Sequence, residues 1–344
     1  VIRRILAALL SLTAAFALAA CGEKQDLTTA PPTQSVKLML DYLPNADHAG
    51  IYEAIGDGSF TRAGLDVEPL TPSDPAAPLK LLQAGKVDIA ISYEPELLLA
   101  RDKGAKLVSI AAVVQRPLTS IIALPHAKVK SVSDLAGKTV GTAGIPYQSD
   151  YLQTILDQAG VDRNTVKEVN VGFNLVPAML SKKVDATLGA FWNVEGVQLQ
   201  RAKRDPVIIP VDQVGVPTYD ELVVVVREDT ARKRGPYLRA FLRAMAEGHE
   251  AVRKDPAEGV KPLLAANPDL DPADTLAEVE KTIPAFFPTD KTHPWGYQDE
   301  NAWSSYGGWM YQNKLLAKPG LPTSLTNEYL PGQGIAPADS PGTS

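Results

Sequence analysis

Cysteine occurs once in 344 residues, at Cys21. That excludes an intramolecular disulfide, and with it a zinc ribbon or a cysteine-held iron–sulfur cluster. Histidine is scarce too. His48, His126, His249 and His293 stand far apart with no HExxH spacing, so no metal site is expected. Excess positive charge is missing: 34 Lys+Arg against 40 Asp+Glu leave a net charge of −6, which argues against a nucleic-acid partner. Past residue 20 no uninterrupted apolar stretch approaches the roughly 18 residues of a membrane span. Nucleophile motifs are lacking as well. Neither GxSxG nor SxxK occurs, and Cys21 has no histidine partner once export is considered. No GxGxxG run opens a dinucleotide site, and no cofactor is expected.

What is present begins with an address. Arg3 and Arg4 precede the apolar run 5–20, which ends in Leu18-Ala19-Ala20-Cys21-Gly22. A charged start and a short apolar run make a signal peptide. Its end resembles a bacterial lipobox, which implies cleavage before Cys21 and lipidation of that thiol. The protein is then exported and anchored to the outer face of the cytoplasmic membrane. Residues 21–35 are polar and Pro/Thr-rich, a flexible tether. Loss of residues 1–20 removes two arginines and moves the net charge from −6 to −8.

The exported body is long enough for two domains. Strands are predicted at 36–40, 65–70, 87–91, 107–114 and 120–124, with helices at 49–64, 76–84 and 94–103. A second unit has strands at 138–141, 166–171, 185–190 and 207–210, with helices at 150–159, 175–181 and 194–202. The continuously apolar 221–227 (ELVVVVR) reads as a buried strand, and helices follow at 235–252, 256–266, 272–282 and 303–316. This alternation predicts an α/β fold with mostly parallel sheets. The strands 120–124 and 221–226 are read as carrying the chain from one lobe to the other and back. Lobe 1 is then 36–122 plus 223–330, lobe 2 is 123–222, and 331–344 is a disordered tail. Two α/β lobes joined by two crossing strands form a hinged clamshell, with ligand at the carboxyl ends of the strands.

The loops at those ends hold the candidates. Tyr42, Asn45 and His48 follow the first strand, where a Pro-Asn turn with Asp47 as a helix cap is the alternative. Ser92, Tyr93 and Glu94 follow the third, with Ser92 alternatively a cap. Arg116 sits between two strands; it contacts ligand or pins the hinge, for instance through Glu94. Gly144, Ile145 and Pro146 lie in a small-residue loop before a helix, where backbone N–H groups can approach an anion or carbonyl. Trp192, Asn193 and Glu195 put an aromatic, an amide and a carboxylate on one loop. An aromatic plane stacks on a flat heterocycle, and a carboxylate accepts from a ring N–H or exocyclic amine. The alternative is Trp192 as core filler with Asn193 as a cap.

The same stretches carry a family resemblance. LDYLPNADHAGIYEAIGDGSFTRAGLDVE resembles the opening of SsuA/THI5-like type II periplasmic binding proteins. GKVDIAISYEPELLLA, VVQRPLTSIIAL, GFNLVPAMLSKKVDATLGAFWNVEGVQLQ and TNEYLPG resemble the subgroup that binds hydroxymethylpyrimidine- or formylaminopyrimidine-type thiamine precursors. The resemblance spans roughly residues 36–331. It implies a monomeric substrate-binding protein that serves the permease and ATPase subunits of an ABC importer. It also implies stacking by Tyr42 and Trp192, with polar contacts from Asn45, Tyr93 and Glu195. The same superfamily contains a pyrimidine synthase, and the resemblance places its Schiff-base lysine at Ser92 and its reactive histidine at Glu96. Its cysteine-rich run falls near Val216-Pro217-Thr218-Tyr219-Asp220, which has no cysteine. Three departures of three argue against an enzyme. Riboflavin, or a sulfonate such as taurine, is the competing ligand; an exported enzyme of pyrimidine metabolism is the competing class.

Overall fold

The computed structural model describes residues 33–318 and 324–332. The expected signal peptide, Cys21, most of the tether and residues 333–344 of the expected tail lie outside these. In chain order the elements that build the site are β1 (Gln34–Met39), α1 (Ala49–Gly56), β2 (Leu65–Leu70), β3 (Ile89–Ser92), α2 (Glu94–Asp102), β4 (Leu107–Val114) and β5 (Thr119–Ala123). Then come β6 (Thr139–Thr142), α3 (Pro146–Gln158), β7 (Lys167–Asn170), β8 (Ala186–Phe191), α4 (Glu195–Arg201), β9 (Val207–Pro210) and β10 (Leu222–Arg227). Last are α5 (Gly235–Lys254), α6 (Pro272–Thr282) and α7 (Glu300–Gln312).

The strands form two five-stranded sheets, ordered β2-β1-β3-β10-β4 and β7-β6-β8-β5-β9. In each sheet one strand opposes its neighbours. β10 is antiparallel to β3 and β4, and β5 is antiparallel to β8 and β9. Each is the strand on which the chain arrives from the other sheet. The crossings therefore run over the carboxyl ends of the parallel strands. β10, between β3 and β4, is buried from Leu222 to Val226; β4 stands at the sheet edge yet is buried throughout, because its outer side is covered by carbonyls of Ser324 and Gly296, which accept the N–H groups of Ser109 and Ala112 (2.8 Å each).

The crossings are the segments 115–118 and 211–221. β5 pairs only inside the second sheet, so the lobe boundary expected at 122/123 falls earlier, before Thr119. Pro117, with no N–H to give a ladder, stands in the break. One carboxylate ties both crossings. Glu221 accepts from the N–H groups of Leu118 (2.6 Å) and Thr119 (2.8 Å), the Thr119 hydroxyl (2.9 Å) and the Tyr219 hydroxyl (3.0 Å). Burial pushes this carboxyl up to about 7, against the pull of those donors.

Four helices depart from expectation; the one expected at 303–316 runs over Glu300–Gln312, where Asp299 caps it. The one expected over 49–64 stops at Gly56 and resumes at Ser59, whose N–H is capped by Asp57 (2.7 Å). The one expected at 256–266 is split, since Pro262 cannot donate to the turn before it. The one expected at 150–159 begins at Pro146, because proline suits a helix's first turn. That last difference brings Tyr147 and Gln148 to the cleft.

The loop after β1 is held from behind. α1 crosses α5 at Gly50 and Gly248, so closely that a Cβ on Gly248 would stand 2.2 Å from the Gly50 carbonyl oxygen. Any larger residue would drive the helices apart, and the loop with them.

Candidate ligand-binding site

One cavity lies where the carboxyl ends of the two sheets meet. Tyr42, Asn45 and Tyr93 line it from the first lobe, and Ala143, Ile145, Tyr147, Gln148, Gly189, Phe191, Val194 and Glu195 from the second. The space among them is about 330 Å³ with its open mouth included, and the enclosed part of it is very narrow. The walls are that close, so entry of a ring-sized molecule requires the lobes to part.

The first-lobe wall rests on a buried network. Asp41, at the end of β1, is fully buried. Its two oxygens accept from His48 Nε2 (2.9 Å) and the Tyr93 hydroxyl (2.8 Å). Asn45 N–H donates to His48 Nδ1 (3.2 Å), so the ring proton sits on Nε2. Asn45 Oδ1 accepts Asp47 N–H (2.8 Å), and its Nδ2 donates to the Leu43 carbonyl (3.1 Å). Tyr42 meets Phe173 edge-on, with centroids 4.7 Å apart. Burial raises the Tyr42 phenol, helped by the charges of Glu195 and Asp41.

The second-lobe wall is built on α3, β8 and α4. Gly189 and Phe191 both face the cavity because side chains two apart share a face of a strand. Glu195 opens α4. Its Oε2 accepts the Phe191 N–H (2.8 Å), and burial pushes the carboxyl up while that N–H holds it down. Gln148 Oε1 accepts the Ala143 N–H (2.8 Å).

Of the expected residues, Tyr42, Asn45, Tyr93, Ile145 and Glu195 meet at the cavity. The others do not line it. His48 has both ring nitrogens occupied inside the first lobe. Ser92 donates to Glu96 Oε2 (2.9 Å) rather than capping a helix, and burial pushes the Glu96 carboxyl up to about 7. Glu94 turns to the second crossing, where Oε2 accepts the Asp220 N–H (2.7 Å). Arg116 is exposed, its guanidinium 5.7 Å from the Trp192 ring centroid. Trp192 faces away from Phe191 and donates its indole N–H to the Pro117 carbonyl (2.9 Å), so it braces the first crossing. Gly144 and Pro146 flank Ile145 without lining the cavity.

Asn193 joins the lobes instead. It is buried, and its Nδ2 donates to Asp47 Oδ1 and Thr282 Oγ1, 2.7 Å each. Asp47 Oδ2 and Asn193 Oδ1 are buried without partners, and burial with the nearby Asp41 charge raises Asp47 well above the usual carboxylate range. The seam continues between α4 and α6. Gln198 donates to Glu278 Oε1 (2.9 Å), and Arg201 pairs with Asp274. Sequence reasoning missed Ala143, Tyr147, Gln148, Gly189, Phe191 and Val194. Strand alternation alone would have found Gly189 and Phe191.

The NMT1/THI5-like family profile matches residues 45–259. The chain belongs to this family. This NMT1/THI5-like chain is 36% identical over 290 residues to the formylaminopyrimidine-binding protein of Halalkalibacterium halodurans, covering 83% of this chain and 87% of that one. It is 26% identical over 254 residues to the 4-amino-5-hydroxymethyl-2-methylpyrimidine phosphate synthase of Legionella pneumophila, covering 73% and 79%. Among solved structures, the alkanesulfonate-binding protein SsuA from Xanthomonas axonopodis pv. citri bound to MOPS superimposes with a TM-score of 0.67 at 17% identity, covering 87% and 99%. That likeness establishes the fold, the type II periplasmic binding protein clamshell that the sequence predicts. Among the described residues no helix is long and apolar enough to cross a membrane.

Proposed function

We propose that the protein is the extracytoplasmic solute-binding component of an ABC importer. It holds a pyrimidine thiamine precursor, of the hydroxymethylpyrimidine or formylaminopyrimidine type, between its lobes. Tyr42, Tyr93, Tyr147 and Phe191 supply flat aromatic walls, and Glu195 supplies the acceptor for an amine. The observation that carries this reading is Glu195, half-buried at an aromatic cavity with one oxygen anchored on a backbone N–H. The Halalkalibacterium halodurans relative named for formylaminopyrimidine supports it. Closure of the lobes on the ligand is a population shift, and the closed form docks on the permease. Cys21 carries the lipid anchor. Cys21→Ser releases the protein into the soluble fraction with ligand affinity unchanged.

Binding rather than synthesis is supported by the positions that the resemblance assigns to synthase chemistry. Ser92 and Glu96 stand there, bonded to each other and away from the cavity. A sulfonate ligand is disfavoured by a carboxylate at the cavity.

The test is thermal shift on residues 22–344, refolded to remove carried-over ligand. The panel is hydroxymethylpyrimidine, formylaminopyrimidine, thiamine, riboflavin, taurine and an alkanesulfonate. A ligand at 100 times its Kd stabilises by about 2.7 kcal/mol. A shift with the aminopyrimidines supports the proposal; a shift with riboflavin or a sulfonate alone overturns it.

A further inference from the structure

Two side chains of the cavity have their directions set by backbone donors. Gln148 is fully enclosed, and its Oε1 is held by the Ala143 N–H (2.8 Å). The carboxamide cannot turn over without losing that bond, so its Nε2 lies on the opposite side. Nε2 comes to rest against Gly189 of β8. A Cβ on Gly189 would stand 2.3 Å from it, and the φ of +114° there is itself a conformation reserved for glycine. The missing side chain at 189 is thus what lets the Gln148 amide occupy the cavity wall. Glu195 is the counterpart. The Phe191 N–H holds its Oε2, and the carboxylate acts only as an acceptor. The second lobe therefore presents one oriented donor and one oriented acceptor in a single small cavity walled by rings.

An aminopyrimidine has one edge of matching pattern: a bare ring nitrogen, which accepts, beside an exocyclic amine, which donates. The corresponding 4-oxo pyrimidine has the reverse, a ring N–H beside a carbonyl. We propose that Gln148 and Glu195 together read the amine-bearing edge of the pyrimidine, Gln148 donating to the ring nitrogen and Glu195 accepting from the amine, with Gly189 as the residue that makes the donor available. This rests on the cavity being the pyrimidine site. Against the oxo ring, donor faces donor and acceptor faces acceptor. Unpaired buried polar groups of this kind are what give strong discrimination between near-isosteres.

The test compares 4-amino-5-hydroxymethyl-2-methylpyrimidine with its 4-oxo analogue by titration calorimetry on the tethered body, residues 22–344. The wild type is expected to prefer the amino ring by about 100-fold or more. Gln148→Met, which keeps the shape and loses the donor, is expected to weaken the amino ligand at least about tenfold. Gly189→Ala is expected to do the same by displacing the amide. The double variant Gln148→Glu/Glu195→Gln keeps both backbone anchors and exchanges donor for acceptor, so its preference should shift toward the oxo ring. Equal binding of amino and oxo rings by the wild type overturns the edge reading and leaves the pyrimidine site standing. Binding of neither ring overturns both. The wild-type comparison decides even where a variant fails to fold, and unchanged discrimination in a folded double variant also sinks the inference.

Discussion

The two walls of the cavity are built on different principles. On the first lobe, Asp41, His48, Asn45 and Tyr93 satisfy one another, and their hydrogen bonds close within the lobe. On the second, Gln148 and Glu195 each place one atom on a backbone N–H and turn the remainder of the group to the cavity. A wall whose polar groups are already partnered gives shape and stiffness. A wall with anchored but incompletely used groups can discriminate. Changes in the first wall should therefore act on folding, and changes in the second on binding.

Asp41→Ala is expected to have the largest effect. It leaves the His48 and Tyr93 donors buried without acceptors, at a cost of roughly 2–5 kcal/mol. Urea unfolding measures it, and a loss under 1 kcal/mol would show that the network does not hold the wall. Glu195→Gln sets the contrast. It should weaken aminopyrimidine binding by about 1.5–3 kcal/mol while leaving the unfolding midpoint nearly unchanged. If the midpoint falls and affinity does not, the division between the walls is wrong.

Asn193→Leu probes the seam rather than either wall. Asn193 touches Asp47 and Thr282 but does not line the cavity. Removing it should favour the open form and raise Kd about tenfold, with a larger radius of gyration in X-ray scattering. Unchanged scattering together with weaker binding would place Asn193 at the ligand instead.

The smallest effect concerns pH. Burial, with the charges of Glu195 and Asp274, lifts Glu278 from its ordinary 4.5 to about 7, against the Gln198 hydrogen bond. Between those values the folded chain binds the proton that the unfolded chain has lost. Stability from this group is therefore present below about 4.5 and declines as pH rises through about 7. Glu278→Gln should flatten the pH dependence of the unfolding midpoint across that interval. An unaltered profile would show that Glu278 titrates normally.

Much of the fold was legible. β10 announces itself by the apolar run Leu222 to Val226 and β4 by an apolar run broken only at Ser109, and α6 matches its expected limits because Asp271 caps it and Pro272 begins it. The cavity was legible only in part. Tyr42, Asn45, Tyr93 and Glu195 were found because they follow strands that end at the cleft. Trp192 was misplaced by one residue of strand alternation, and Gln148 was passed over because Pro146 was read as loop rather than as the first turn of a helix.

Glu94 and Glu195 mark the boundary between the two kinds of information. Each is the first residue of a helix that leaves a cleft strand, and local sequence makes them equivalent. Glu94 is drawn to the N–H of Asp220, 126 positions away on the second crossing, whereas Glu195 folds back on Phe191, four positions away, and stays at the cavity. Hydrophobic runs, caps and prolines act over a few residues, so the elements and their order are written locally along the chain. Which way a buried carboxylate turns depends on the donor that tertiary packing brings to it, so only the folded chain decided which acid faces the cavity.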